Sequence, residues 1–466
     1  MRVLRSIQAW LLKPVLGDHP HAQHLAVIAD LLDSHPEIAQ LAHDDLTRDR
    51  DSDKGRKGMS GDQAVRILLL KKMHRLSYRE LEFHLQDSTA FRGFVCAPRR
   101  DPWAWTTLQS NIKRLRPETL ERINQLLLKT AKAAGIENGS KARTDCTAVE
   151  SNIHPPTDSS LLCDGVRVLT RLLVRARAKV PSAGVAFTDH HRRARRRLQA
   201  ITFPAKGKKR GAHLRRNYQD LLKVSRKTLG YARAALERLK PENLPSSSGV
   251  AERSIAEDLS RELERYVELM ARVITQTTRR VIDGEQVPAN EKILSLFETH
   301  TDVIVKGERD VVFGHKVCLT AGASSLILDC FIEPGNPADS TLVRPALQRQ
   351  VDIYGQGPRQ VSFDGAFASQ ENLRLAKDEF GVEDVAFHKK SGLKIEDMAR
   401  SPWVYRRLRN FRSGIEGLIS GLKSGGMDRC RWRSQDTLES FRSYVWACVL
   451  AFNVAVLARK LAPQST

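Results

Sequence analysis

The sequence lacks any pair of cysteines at the Cys-x-x-Cys spacing that is typical of structural zinc sites. Its cysteines number seven and are scattered singly along the chain. This spacing argues against a zinc site, and an odd number of separate thiols is typical of a protein kept reduced in a cytosol. The cysteines are Cys96, Cys146, Cys163, Cys318, Cys330, Cys430 and Cys448.

The sequence also lacks an apolar run of the length that a membrane span requires. The most apolar segment, residues 444–458, is too short to cross a bilayer and contains Asn453, so we predict a buried helix. The basic and then apolar start of the chain is interrupted by Gln8, and no small-residue cleavage site follows, which favours a helix over a signal peptide. We therefore expect a soluble cytoplasmic protein without a membrane partner.

Acidic residues are scarce relative to basic ones. The chain has 76 Lys and Arg against 54 Asp and Glu, which gives a formal net charge of +22 and a pI near 9.9. A surplus of this size favours a polyanionic partner, most simply nucleic acid. An acidic membrane surface is the alternative, but no long amphipathic anchor accompanies the charge. The length of 466 residues predicts two or three domains.

Residues 59–138 have the pattern of a helical domain that follows N-terminal helices and a linker in residues 1–58. Ser77 and Glu80 form the pattern of a capping box at the start of a second helix. Two helices joined by a short turn favour a helix-turn-helix-like DNA-binding domain, and a plain helical bundle is the alternative. The first helix is predicted to have one apolar stripe, formed by Val65, Leu68, Leu69 and Met73.

Two aspartates occur at unusual places in predicted strands. Residues 142–149 are rich in β-branched side chains and predict a strand, with Asp145 in its middle. Aspartate is disfavoured in strands and costly to bury without a partner. Asp364 directly follows a short apolar strand, residues 360–363, and the carboxyl end of a central strand is a common site position in α/β sheets.

A third acidic residue, Glu416, lies in a predicted amphipathic helix over residues 410–423. Spacings of four and seven residues place Arg412, Glu416 and Lys423 on one face of that helix. A carboxylate between cations suits a site that holds both a metal ion and a phosphate. The alternative is a surface Glu–Arg pair, which stabilises a helix by roughly a few tenths of a kcal/mol. The opposite face is predicted to be buried through Phe411, Ile415, Leu418 and Leu422.

Residues 166–295 are predicted to form a basic helical insertion. Residues 166–216 contain sixteen Lys and Arg but only one acidic residue, Asp189. A charge of nearly uniform sign favours a surface that follows DNA phosphates over an ordinary solvated face. Two further helical patterns, 222–239 and 259–274, predict a helical hairpin. The side chains predicted to contact DNA are Arg193, Arg196, Lys208, Lys209 and Arg210.

Other polar and aromatic candidates have simpler structural interpretations. Acidic residues near turns or helix starts are explained by capping. The histidines and tryptophans are interpreted as structural or core residues, with DNA contact or base stacking as the alternative. These residues are Glu150, Asp158, Asp164, Asp339, His154, His315, His388, Trp403 and Trp432. A further acidic candidate, Asp329, lies in the middle of an apolar predicted strand.

Three blocks of the sequence, in order, resemble the acidic blocks of DDE transposases from bacterial insertion sequences. The first spans residues 144–162 around Asp145, and the second spans residues 362–367 around Asp364. The third, residues 412–423, is similar to the end of the family's Tyr-x-x-Arg-x-x-x-Glu-x-x-x-x-x-x-Lys signature. Further segments that resemble the family are residues 60–94, 313–316 and 333–340.

Two features depart from the family's pattern. Arg409 stands at the position of the signature tyrosine, with Tyr405 one turn earlier. The helical insertion lies between the first strand and the rest of the sheet, whereas in better-known members it precedes the glutamate. The resemblance assigns DNA-phosphate contacts to Arg412 and Lys423, and we include Arg409 among the predicted DNA contacts.

The resemblance implies an α/β fold, with an RNase H-like mixed sheet flanked by helices and an N-terminal all-helical DNA-binding domain. Residues 139–165 and 296–430 would form the catalytic core, interrupted by the large helical insertion, and residues 431–466 a C-terminal helix packed on it. The resemblance also implies a bound Mg²⁺, for which Mn²⁺ could substitute. The implied catalytic residues and metal ligands are Asp145, Asp364 and Glu416.

The implied function is that of a transposase, which binds the terminal inverted repeats of an insertion sequence and catalyses Mg²⁺-dependent DNA strand cleavage and strand transfer. Its partners would be double-stranded DNA, as repeat and as target, and a second copy of the chain, because two ends must be paired. It would act in the bacterial cytoplasm, at the nucleoid. The alternatives are a stand-alone RNase H-like nuclease and a non-catalytic DNA-binding protein derived from a transposase.

Overall fold

The structure is a computed structural model with two compact units, each with a hydrophobic core of its own. The first unit is built from residues 1–152, 304–433 and 437–466, and the second from residues 153–303. The residues that the structure describes are 19–49, 58–97, 103–204, 210–246, 248–306, 310–388, 392–432 and 437–462.

The first unit opens with a bundle of helices. The side chain of Ser77 accepts a hydrogen bond from the N–H of Glu80, whose side chain accepts one from the N–H of Ser77, so the predicted capping box is confirmed. The helix that begins after Ser60 is buried on nearly every side, because neighbouring helices pack around it. The expectation of a single apolar stripe was therefore wrong. The helices are α1 (Pro20–Asp33), α2 (Pro36–Thr47), α3 (Gly61–Met73), α4 (Tyr78–Asp87), α5 (Thr89–Val95), α6 (Trp105–Ile112) and α7 (Pro117–Ala133).

The second unit is helical. Its two longest helices pack against each other and against the first helix of the unit. On the shortest of the four, Ala194 and Ile201 are buried, and most of the remaining positions carry exposed or half-buried basic side chains. The helices are α8 (Asp158–Lys179), α9 (His191–Thr202), α10 (Arg210–Leu239) and α11 (Val250–Thr277).

The candidate site lies on a mixed sheet, as the resemblance implied, and this sheet has six strands. Its strand order is β2-β3-β1-β5-β6, and β4 pairs with β3. β1 runs antiparallel to β3 and parallel to β5, which in turn runs parallel to β6. The strands are β1 (Lys141–Glu150), β2 (Asp302–Lys306), β3 (Asp310–Gly322), β4 (Ile327–Phe331), β5 (Gln360–Phe363) and β6 (Asp384–Phe387).

Five further helices complete the first unit in the part of the chain that the structure describes. The last of them is long and apolar enough to cross a membrane, but 83% of its most apolar stretch is buried inside the protein. That burial confirms the predicted core helix, which packs on α1, α3 and α7. The helices are α12 (Val343–Tyr354), α13 (Gln370–Arg374), α14 (Ile395–Met398), α15 (Pro402–Leu422) and α16 (Leu438–Leu461).

Candidate active site

Asp145 lies on the face of β1 against which α15 packs. Alternate residues of a strand share a face, so Lys141, Arg143 and Asp145 project together. The ammonium of Lys141 and the guanidinium of Arg143 lie 4.4 and 4.5 Å from the centre of the Phe411 ring. Arg143 Nη1 also donates a hydrogen bond to the carbonyl oxygen of Phe411, at 2.9 Å. These contacts hold α15 against β1 at Phe411, the residue before Arg412.

Asp364 is placed beside Asp145 by the register of two parallel strands. β1 and β5 pair so that Thr144 is opposite Phe363. Asp145 and Asp364 are the next residues along these two strands, and Asp364 comes where β5 ends. The mid-strand aspartate and the aspartate after a strand therefore meet at one edge of the sheet.

Arg412 connects all three acidic residues singled out in the sequence. Its Nη2 lies 2.8 Å from Oδ2 of Asp145 and 3.1 Å from Oδ1 of Asp364. Its Nη1 lies 2.6 Å from Oε1 of Glu416, one turn further along α15. The structure thus brings the three carboxylates together around one guanidinium. We call these four side chains the carboxylate cluster.

The three acidic side chains of the carboxylate cluster differ in their exposure to solvent. The side chain of Asp145 is 13% exposed, that of Asp364 35% and that of Glu416 63%. Burial raises the pKa of Asp145 to about 6, and this effect outweighs the opposing charge of Arg412 and the N–H of Cys146. The nearby carboxylates of Asp364 and Asp339 also raise it. Asp145 is therefore a carboxylate whose ionised form needs a cation.

The carboxylate oxygens of the cluster are of the ligand type that binds Mg²⁺. Carboxylate oxygens are the ligands that this ion prefers, and the guanidinium shows that the three side chains already enclose a cation. In the described ranges, no group of three or more His, Cys, Asp or Glu side chains has the spacing of metal ligands. The predicted metal site is thus an ion-paired cluster in this structure, because the wide guanidinium stands between the carboxylates.

Two family models match the chain. A transposase domain (DUF772) matches residues 15–114, and a transposase DDE domain matches residues 276–453. The chain belongs to the DDE transposases. No curated protein and no solved structure matches it. The matched DDE domain of this transposase includes Asp364 and Glu416 but begins after Asp145, within the second unit.

The predicted DNA contacts on α15 lie in different settings. Arg412 is buried and occupied by the three carboxylates. Arg409, at the position of the signature tyrosine, is exposed. Tyr405 is buried, and its hydroxyl donates to the carbonyl oxygen of Phe387 at 2.8 Å, which ties α15 to the end of β6. Lys423 is half-buried and begins a wider helical turn that ends the helix.

The basic residues predicted to contact DNA in the second unit also differ. Arg193 forms two hydrogen bonds with the carboxylate of Asp220, which also pairs with Arg197. Sequence reasoning missed this pair, because Asp220 belongs to the next helix. Arg196 and Arg210 are exposed, whereas the predicted contacts Lys208 and Lys209 lie outside the described residues.

Two other candidate carboxylates, Asp329 and Asp339, pair with basic side chains outside the carboxylate cluster. Asp329 is fully buried and accepts hydrogen bonds from Arg349, which also pairs with Glu121. Asp339 pairs with Lys316 at 2.7 Å. Sequence reasoning also missed Lys141 and Arg143, although their alternation with Asp145 along one strand was a signal that they share its face.

Proposed function

We propose that this transposase cleaves and joins DNA at the carboxylate cluster. The observation that carries the proposal is the convergence of Asp145, Asp364 and Glu416, from two strands and one helix, on a single cation. These three side chains would hold Mg²⁺, and Mn²⁺ would substitute. A bound ion of this kind supplies charge that activates water and stabilises the oxygens of an in-line phosphodiester displacement.

The side chains of the chain have separate tasks in this proposal. Asp145 and Asp364 are fixed by the register of β1 and β5, so their oxygens are positioned before DNA binds. Glu416 is the most exposed of the three and lies on the side open to a substrate. With a metal ion held by the carboxylates, Arg412 would be available to donate to a DNA phosphate, for which its planar group is suited.

DNA is the partner that the charge of the transposase favours. The net charge of +22 provides a long-range attraction for any duplex. We propose that the helices of residues 59–138 and the basic helical insertion of residues 166–295 bind the terminal inverted repeats. Pairing of two DNA ends requires at least two copies of the chain. The reaction would take place at the nucleoid, in the bacterial cytoplasm.

The test is cleavage of DNA that carries the ends of the element from which this gene comes. Asp145→Asn, Asp364→Asn and Glu416→Gln are each expected to abolish Mg²⁺-dependent cleavage and joining while leaving DNA binding in place. Glu150→Gln is the matched control, because Glu150 is an exposed carboxylate at the end of the same strand as Asp145. Full cleavage by any of the three variants would remove that residue from the site. Cutting without joining in the parent protein would identify a nuclease instead.

A further inference from the structure

A cleft of about 620 Å³ lies in the first unit and includes no residue of the carboxylate cluster. One side is formed by the end of α3 and the turn into α4, within residues 71–80. The other side is formed by residues 423–432, after α15, together with Tyr444 of α16. We call this feature the α3–α16 cleft. The proposed chemistry assigns it no task.

Positive charge predominates in the α3–α16 cleft. Its two acidic residues already have partners: Asp428 accepts a hydrogen bond from Arg431 at 3.1 Å, and Glu80 accepts one from the N–H of Ser77 at 2.7 Å. The basic side chains outnumber these two, so the cleft keeps a net positive charge. The basic side chains that line the cleft are Lys71, Lys72, Arg75, Lys423 and Arg431.

The two lysines of α3 are held by groups that do not neutralise them. Lys71 Nζ donates to the carbonyl oxygen of Leu76 at 2.5 Å and lies 4.4 Å from the ring centre of Tyr78. Lys72 Nζ lies 3.2 Å from the ring centre of Tyr444. Burial, together with the adjacent charge of Lys72, lowers the pKa of Lys71 to about 8. An anion in the cleft would offset the positive charge of both lysines.

Two buried donors that line the α3–α16 cleft lack acceptors. The indole N–H of Trp432 and the hydroxyl of Tyr78 make no hydrogen bond with any group in the part of the chain that the structure describes. Trp432 is only 6% exposed. Burial raises the pKa of Tyr78, which keeps its hydroxyl protonated and able to donate. Donors of this kind are unfavourable unless an acceptor reaches them.

We propose that the α3–α16 cleft binds a phosphate group of the DNA backbone. A phosphate carries negative charge and several acceptor oxygens, and so matches a cleft that combines excess lysine with donors that lack acceptors. That this phosphate belongs to DNA rests on the proposed function of the carboxylate cluster. Lys423 connects the two sites, because it lies two helical turns, about 10 Å, beyond Glu416 along the same helix. A strand held at the carboxylates would therefore continue into the cleft.

The experiment measures the affinity of the full-length protein for a short fluorescein-labelled duplex of the element's own end, by anisotropy, without divalent ions. Tyr78→Phe and Trp432→Phe each remove one donor and keep the ring, and Lys71→Gln removes one charge. Each is expected to weaken binding by about tenfold, which is typical for the loss of a hydrogen bond to a charged group. Lys71→Gln should also reduce the slope of log affinity against log salt by about one.

Two matched controls separate the cleft from general effects. Tyr354→Phe removes a hydroxyl that is also buried and without a partner, but that lies on α12, away from the cleft. Lys460→Gln removes an exposed charge at the end of α16, the helix that carries Tyr444, and Lys460 does not line the cleft. Both controls are expected to bind within about twofold of the parent protein. Cleft variants that bind as tightly as these controls would overturn the inference.

Two further measurements distinguish DNA from a small phosphate compound and separate binding in the cleft from the proposed catalysis. Thermal unfolding with inorganic phosphate is expected to show little stabilisation. Strong stabilisation that is lost in Tyr78→Phe, with unchanged DNA affinity, would assign the cleft to a small phosphate compound and exclude DNA. Asp145→Asn should bind the duplex normally without metal, so a failure of the cleavage proposal leaves the result on the cleft intact.

Discussion

Arg412 contacts every acidic side chain of the candidate site, and at 8% exposure it has little contact with solvent. A buried carboxylate such as Asp145 requires a positive partner, and a guanidinium supplies it with hydrogen bonds to more than one carboxylate at once. A divalent ion would supply twice that positive charge to the same oxygens. We infer that the guanidinium and the metal compete for the carboxylates.

The first prediction follows from this competition. Arg412→Gln should lower the free energy of unfolding by about 2 kcal/mol in EDTA, which is less than for a fully buried pair because Asp364 and Glu416 reach solvent. Added Mg²⁺ should then raise the melting temperature of the variant more than that of the parent. Arg409→Gln, an exposed arginine on the same helix, is the control. An equal response to Mg²⁺ in all three proteins would rule out competition.

The second prediction concerns Lys71, whose pKa burial lowers to about 8 from an ordinary value of 10.5. Between these pH values the unfolded chain binds more protons than the folded one, so the stability of the parent should rise with pH through this window. Lys71→Met should be more stable at neutral pH, by up to about 3 kcal/mol, and should lose that rise. Urea unfolding at neutral and alkaline pH measures both effects. A variant with the same pH dependence as the parent would contradict the assignment to Lys71.

At the scale of elements, the packing of α15 on β1 positions the carboxylate cluster. Arg143 reaches from the strand to the backbone of Phe411, and the small Gly414 leaves room for its guanidinium. A Cβ at Gly414 would meet the Arg143 side chain, whereas a Cβ at Gly417 would meet nothing. Both glycines lie on the same helix and are exposed, so they form a matched pair.

The third prediction uses that pair. Gly417→Ala should stabilise the protein by up to about 1 kcal/mol, because alanine favours a helix more than glycine does. Gly414→Ala should lack this gain and should reduce cleavage, because Arg143 must move and the helix shifts against Asp145. Thermal unfolding and the cleavage assay, applied to both variants, provide the comparison. Equal behaviour of the two would show that the Arg143 contact does not position the site.

The elements of the sheet were largely predictable from the sequence, and the contacts of the site were not. β5 has the predicted bounds, and β1 exceeds its prediction by one residue at each end, because short apolar and β-branched runs have few other stable forms. The buried face of α3 was misjudged, since burial on every side depends on helices distant in sequence. The ion pairs of Arg412 with Asp145 and of Arg193 with Asp220 likewise depend on packing that local patterns do not contain.

For the molecule as a whole, the positive charge of the second unit is partly compensated inside that unit. Arg193 and Arg197 share Asp220, and Arg175 pairs with Glu262. An arginine that is already paired gains less from a phosphate than one that faces solvent, because the first pair must be broken. The number of basic residues in the second unit therefore exceeds the number of DNA contacts that it can provide.

The fourth prediction compares two arginines of α9 that differ in this respect. Arg196 is exposed, and Arg196→Gln should weaken duplex binding and reduce the slope of log affinity against log salt by about one. Arg193→Gln removes the same charge from the same helix but should change that slope less. The charge of Arg193 is already offset by Asp220, which the variant leaves with Arg197 as a partner. Anisotropy titrations over a series of salt concentrations give both slopes. Equal changes would mean that DNA displaces Asp220 from Arg193, and that the paired arginines of the second unit contact phosphate as well.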